Sequence, residues 1–166
     1  MSDRRDLDQM RILIVDDEPD ILAVLEGLLS ESPLVKASSF QEAKGYLESQ
    51  TFDIAILDIM GVDGYRLLDI AKEKGVTAVM LTAHALSPED TAKSYKKGAA
   101  FYVPKDEISN IRTFLEDVLE AQERGKSTWS RWLHRFGAFY EKRFGSDWQK
   151  KDKEFWDKFV ERYGMW

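Results

Sequence analysis

Three aspartates, a threonine and a lysine lie at or just after the ends of short apolar segments, in the order Asp16, Asp17, Asp58, Thr82 and Lys105. Three carboxylates in one crevice repel one another unless a cation balances them. Mg²⁺ suits such an oxygen-rich cluster, and proteins typically hold it with one or two carboxylates, waters and a phosphate. Lysine adds a mobile positive charge and threonine adds a hydroxyl donor. Such a set can hold a phosphoryl group during its transfer to a carboxylate, because that reaction needs mainly positioning and charge neutralisation.

The segments that must position these residues alternate between strand and helix patterns. Short apolar runs are typical of buried strands, and apolar residues at three- and four-residue steps between them indicate helices. Five strands alternating with five helices within about 115 residues require a parallel sheet with helices on both faces. Ligands bind at the carboxyl ends of such strands, where the five polar residues would meet. The predicted strands are 11–15, 34–38, 53–57, 76–82 and 100–103, and the fifth helix is predicted over 106–124.

Four segments, taken in order, resemble the motifs of response-regulator receiver domains of two-component signalling. They are 12–19, 56–60, 80–83 and 98–105, and the resemblance covers roughly residues 10–124. It implies a flavodoxin-like, doubly wound five-stranded parallel sheet of the α/β class with strand order 2-1-3-4-5.

The resemblance also implies a role for each site residue. Asp58 would be the phosphoacceptor, and Thr82 and Lys105 would contact the phosphoryl oxygens. Tyr102 would be an aromatic switch that turns inward behind Thr82 on phosphorylation, which would alter the face formed by the fourth helix, fifth strand and fifth helix. The Mg²⁺ ligands would be Asp16, Asp17, Asp58 and the backbone carbonyl of Met60, with Asp17 the more direct of the two adjacent aspartates.

Two departures from the family pattern concern the loops at the site. The segment from Asp58 to the helix-opening Gly64 is about two residues shorter than usual and has no proline. The order Pro104-Lys105-Asp106 places no proline after the lysine, so we expect a trans bond there, since a cis non-proline bond costs about 2.5–4 kcal/mol. His84, two residues past Thr82, is either a solvated loop residue or an influence on the lifetime of the phosphate.

Composition divides the chain of 166 residues into two parts. Residues 1–120 carry a net charge of −10 and residues 121–166 carry +4, while all five tryptophans lie at or after Trp129. We therefore predict a receiver domain at 10–124 and a helical extension at 125–166. The extension has two aromatic helical stripes separated by a predicted turn at 145–147, and about 40 residues cannot easily form a stable core alone.

Composition also limits what the protein can be. The absence of cysteine excludes disulfides, cysteine-ligated zinc and cysteine nucleophiles. The first ten residues lack the apolar segment of a signal peptide, and no stretch has the ~18 apolar residues of a membrane span, so a cytoplasmic protein is expected.

Several readings of function remain open. The first is a response regulator, not an enzyme in its own right, that accepts a phosphoryl group from a sensor histidine kinase or phosphotransfer protein. The alternative is a scaffold or adaptor whose tail binds a partner, and a third reading is a Mg²⁺-dependent phosphatase. The tail would pack on its own receiver, form a homodimer or dock a protein partner. A membrane surface is not favoured because the tail is rich in acidic residues, and nucleic acid is disfavoured because no helix-turn-helix pattern occurs.

Overall fold

The computed structural model describes residues 6–83, 88–144 and 153–163, with the side chains of 138–144 and 153 excepted. Its centre is a five-stranded parallel sheet in the order β2-β1-β3-β4-β5. This order confirms the predicted fold class. The strands are β1 (Ile12–Val15), β2 (Leu34–Ala37), β3 (Ile54–Asp58), β4 (Thr77–Thr82) and β5 (Phe101–Pro104).

Helices cover both faces of the sheet, and the sequence explains where several of them begin. Pro19 occupies the first turn of its helix, where a missing N–H costs nothing. The hydroxyl of Ser39 accepts a hydrogen bond from the N–H of Glu42 and caps the next helix, as predicted. The helices are α1 (Pro19–Leu28), α2 (Phe40–Ser49), α3 (Gly64–Glu73), α4 (Pro88–Lys96), α5 (Ile111–Glu123), α6 (Thr128–Phe144) and α7 (Lys153–Tyr163).

The fifth helix begins later than predicted. Residues Lys105–Asn110 form a 3₁₀ helix, and the α-helix starts only at Ile111. A 3₁₀ turn closes i→i+3 hydrogen bonds, and its apolar spacing is close to that of an α-helix. Spacing alone therefore could not separate the two, and the predicted start at 106 is wrong by five residues.

The two tail helices pack against the receiver of their own chain. Trp129, Trp132 and Trp156 are 4%, 0% and 1% exposed, and they join the same core as the sheet. Tyr95 of α4 lies among aromatic rings of both tail helices, and its hydroxyl is 2.6 Å from that of Tyr163. The structure therefore shows the first of the three interpretations of the tail, in which it packs on its own receiver.

An ion-pair network fixes α6 to α5. Asp117 of α5 is only 7% exposed, and its carboxylate accepts hydrogen bonds from Arg135 Nε at 2.6 Å and Arg131 Nη1 at 3.4 Å. Arg131 also contacts Glu120 at 2.7 Å. The Asp117 carboxylate raises the pKa of Arg135, whose charge the pair stabilises.

Some features of the sequence analysis lie outside the described residues: His84, the turn at 145–147, and Trp148 and Trp166 of the five tryptophans. Within the described ranges, no helix combines the length and apolar character needed to cross a membrane.

Candidate functional site

The strand register brings the predicted site residues to one edge of the sheet. Val15 of β1 pairs with Leu57 of β3, so Asp16 and Asp58, one residue further along, lie side by side. On the other side of β3, Asp58 pairs with Leu81, the residue before Thr82. Adjacent parallel strands thus deliver side chains from distant parts of the chain to one crevice.

Lys105 is the cation of this crevice. Its ammonium nitrogen lies 2.8 Å from Asp16 Oδ2, 2.9 Å from Glu18 Oε1 and 3.3 Å from Asp58 Oδ1. Sequence reasoning left Glu18 out of the site. The only signal for it was its position directly after the two aspartates, which an exposed helix-cap residue would share.

Burial makes two carboxylates of this site, those of Asp16 and Asp58, costly to ionise. Asp58 is 3% exposed, and burial followed by repulsion from Asp16 raises its pKa from 3.8 to about 7, against the opposing effect of Lys105. The pKa of Asp16 is also raised, chiefly by burial. Burial alone would lower the pKa of Lys105, but its bonds to Asp16 and Glu18 raise it above the ordinary value. The lysine therefore stays charged beside Asp58, whose carboxyl group ionises only at a pH of about 7.

The short loop after β3 is accommodated by backbone conformations that few residues adopt. Gly61 and Asp63 both have positive φ angles, 82° and 55°. A side chain at Gly64 would clash, because its Cβ would lie 2.1 Å from the carbonyl oxygen of Asp58. A Cβ on Gly61 would lie 2.5 Å from Asp17 Oδ2. The loop therefore contacts the Asp17 carboxylate, so the two segments that carry predicted metal ligands, after β1 and after β3, lie next to each other.

The donor set fits a hard divalent cation. Asp16, Asp17 and Glu18 each offer a carboxylate oxygen, and these oxygens lie within 4.8 Å of one another. Carboxylate oxygens at this spacing suit Mg²⁺, which prefers oxygen ligands. Asp58 is not part of this closest group and contacts it through Lys105. Asp17 is exposed and Asp16 is buried; that Asp17 is the more direct ligand of the ion stays a prediction.

The remaining predicted residues occupy different surroundings. Thr82 ends β4, is 3% exposed and pairs with Pro104, next to Lys105. Tyr102 is fully buried on β5. Met60 lies in the loop after β3, and its side chain is 64% exposed. The Lys105–Asp106 bond is trans, since the described residues contain no cis peptide bond.

Comparisons with known proteins agree with this geometry. Residues 12–116 match the response regulator receiver domain family. The heme response regulator HssR of Staphylococcus saprophyticus is 36% identical over an alignment of length 115, which covers 65% of this chain and 50% of that protein. This chain thus spans about half the length, or less, of the curated relatives it matches. Both tail helices, α6 and α7, lie beyond the residues that match the family.

Two solved structures extend the comparison to the fold. A CheY-like receiver domain protein from Methanospirillum hungatei has a TM-score of 0.63 and 28% identity, covering 70% of this chain and 98% of its own. TrrA of Thermotoga maritima, solved in complex with Mg²⁺ and beryllofluoride, has a TM-score of 0.57 and 30% identity over 66% of this chain and 99% of its own. Sequence match, fold and clustered carboxylates all agree, and the chain belongs to the response regulator receiver domain family.

Proposed function

We propose that the protein accepts a phosphoryl group on Asp58 in a Mg²⁺-dependent reaction and signals by a change of conformation. The observation that carries this proposal is the position of Asp58, buried at the end of β3 and in contact with a lysine that also binds Asp16 and Glu18. An ordinary surface carboxylate has no reason to be held in a desolvated cluster of like charges.

Response regulators interact with sensor histidine kinases or phosphotransfer proteins, and such a protein is the proposed donor here. An Asp58 oxygen attacks the phosphorus of a phosphohistidine, the phosphorus–nitrogen bond breaks and the imidazole leaves. The product is an acyl phosphate on Asp58. A kinase donor places the reaction in the cytoplasm, and that location is part of the same proposal.

Each neighbouring residue has a definite task in this scheme. Asp16, Asp17, Asp58 and the carbonyl of Met60 would hold Mg²⁺, which neutralises charge on the transferred group. Lys105 moves from the carboxylates to the phosphoryl oxygens, and the Thr82 hydroxyl donates to another of these oxygens. Tyr102 responds behind Thr82. We also propose that the chain divides into a receiver domain at 10–124 and a helical extension at 125–166.

The alternative hypothesis, a scaffold or adaptor whose tail binds a partner, receives less support. Trp129, Trp132 and Trp156 would be the natural contacts for a partner, yet all three are buried in this chain. A Mg²⁺-dependent phosphatase would use similar carboxylates, but it would turn over its phosphoenzyme rapidly, whereas a signalling receiver holds the acyl phosphate.

The experiment is incubation with acetyl phosphate and Mg²⁺, followed by mass spectrometry. We expect one added phosphoryl group that hydroxylamine removes, and no addition to an Asp58→Asn variant. Asp63→Asn is the matched control, because Asp63 lies in the same loop and asparagine tolerates its left-handed conformation. Equal incorporation by wild type and Asp58→Asn would refute the assignment, and rapid multiple turnover would favour the phosphatase.

A further inference from the structure

Two tryptophans of α6 bind main-chain carbonyls of the edge strand β5 and of the turn that precedes it. The indole N–H of Trp129 donates to the carbonyl of Ala99 at 2.7 Å, and that of Trp132 donates to the carbonyl of Tyr102 at 2.9 Å. Both bonds are buried. An edge strand otherwise presents open polar groups to solvent or to another chain, so α6 takes the place of a neighbouring strand along β5.

The Tyr102 side chain lies on the opposite face of β5 from the side chain of Phe101. Its neighbour Phe101 packs against Phe114 of α5 and Phe136 of α6, with ring centroids 5.6 Å and 6.1 Å apart. Successive residues of a strand point to opposite faces, so Tyr102 points to the face that α4 covers. It has no exposed surface. Its hydroxyl also lies near enough to Tyr65 of α3 to add to burial in raising the pKa of that residue, so the ring is directed into the protein and not out past the edge of β5.

The tail closes the outward position. Trp132 is fully buried beside the main chain of Tyr102, and rings of Trp129, Phe136 and Phe159 surround it at 5.2–6.1 Å. A Tyr102 ring turned out past the edge of β5 would meet this packed layer. Interiors packed at this density do not yield space for a second aromatic ring.

We propose that Trp132 is a positioning residue that holds Tyr102 inward, so that docking of the tail and phosphorylation of Asp58 favour the same conformation. This inference rests on the proposed function, in which Thr82 moves to the phosphoryl group and Tyr102 fills the space behind it. The apparent affinity of a protein for its ligand rises in proportion to the fraction of molecules that already have the binding-competent conformation. The tail thus acts as a built-in activator of the receiver.

The test compares two variants of the full chain that lose the same kind of bond. Trp132→Phe removes the hydrogen bond to Tyr102, and Trp129→Phe removes the equivalent bond to Ala99, three residues earlier. The probe is beryllofluoride with Mg²⁺, a phosphoryl mimic whose bound form is followed by ¹⁹F NMR, with thermal melting measured in parallel. Loss of one buried hydrogen bond predicts about fivefold weaker binding for Trp132→Phe and less than twofold for Trp129→Phe, at similar losses of melting temperature.

A second comparison tests whether Trp132 acts through Tyr102. In a Tyr102→Ala background, adding Trp132→Phe should cause no further loss of affinity. A full further loss, an equal effect of the two tryptophan variants, or unchanged affinity in Trp132→Phe would each overturn the inference. Should Trp132→Phe fail to fold, the surface change Arg135→Gln loosens α6 from Asp117, and we expect it to weaken binding of the mimic too. Unchanged affinity in that variant also overturns the inference.

The outcomes separate this inference from the proposed function. Absence of any bound beryllofluoride on the wild-type protein would refute the phosphoryl site itself. Binding to wild type that is lost in Asp58→Asn, together with unaltered affinity in Trp132→Phe, would refute only the role of Trp132.

Discussion

Replacing Asp58 by asparagine should stabilise the metal-free fold at neutral and alkaline pH. Burial and the neighbouring Asp16 raise the pKa of Asp58 from 3.8 to about 7. Between these values the folded protein keeps a proton on Asp58 that the unfolded chain has already released. Because the folded state binds more protons, its stability falls as pH rises from about 4 to about 7. Asparagine cannot ionise and escapes this loss.

The size of the expected stabilisation follows from the shift in the pKa of Asp58. A change from 3.8 to about 7 is roughly three pKa units, and at about 1.4 kcal/mol each the ionised form costs up to about 4 kcal/mol above pH 7. Lys105 keeps its contacts with Asp16 and Glu18 in the variant, so its own charge stays compensated. We expect Asp58→Asn to be more stable than wild type by about 2–4 kcal/mol at pH 8 and nearly equal to it at pH 4.

Urea unfolding with a chelator present, at pH 4 and pH 8, measures this difference. Asp69→Asn is the matched control, because its 59%-exposed carboxylate pairs with Lys97 at the surface, and such changes are usually within about 0.5 kcal/mol. No gain for Asp58→Asn at pH 8, or an equal gain at pH 4, would show that desolvation of Asp58 is not the source of strain. Saturating Mg²⁺ should shrink the gain, since the ion stabilises the wild-type carboxylate.

Three further changes test other parts of the structure. Asp17→Asn should weaken Mg²⁺ binding by about tenfold or more, as measured by titration calorimetry, and an unchanged affinity would place the ion elsewhere. Deleting residues 126–166 removes three buried tryptophans and should lower the melting temperature by roughly 10 °C or more while increasing dye binding to apolar surface; an identical melting curve would contradict the packing described. Asp117→Asn should cost about 1–2 kcal/mol, because Arg131 and Arg135 lose their shared carboxylate, and unfolding at high salt should show a smaller difference.

The sequence was sufficient for the sheet and for most of the site because both follow from one regularity. Apolar runs mark buried strands, and parallel strands end at one edge, so Asp16, Asp58 and Thr82 could be placed together without coordinates. Glu18 could not be placed, because its role depends on how far the Lys105 side chain reaches. The sequence showed that the loop after β3 is short. It could not show how the backbone closes the loop, with two positive φ angles and a contact of Gly64 with the main chain, because that depends on three-dimensional packing.

The tail shows a different limit. Its two amphipathic helices were predictable from spacing, whereas the surface that they cover was not. The decisive bonds run from Trp129 and Trp132 to main-chain carbonyls, and a carbonyl leaves no trace in the sequence of its strand. The opposite net charges of the two parts favoured their contact, but they could not show that Asp117 would pair with Arg131 and Arg135.

This difference between main-chain and side-chain contacts sets how the two parts of the protein can evolve. The indole bonds depend on the path of the main chain at Ala99 and Tyr102 and not on the chemistry of those side chains, so a replacement that fits the buried position of Ala99 leaves the Trp129 contact in place. Asp117, in contrast, cannot change charge without stranding Arg131 and Arg135 beside it. In a lineage that keeps this tail, the two tryptophans must therefore persist, but their bonds do not constrain the side chains that accompany the acceptor carbonyls. The acidic position on α5 and the arginines on α6 must instead change together.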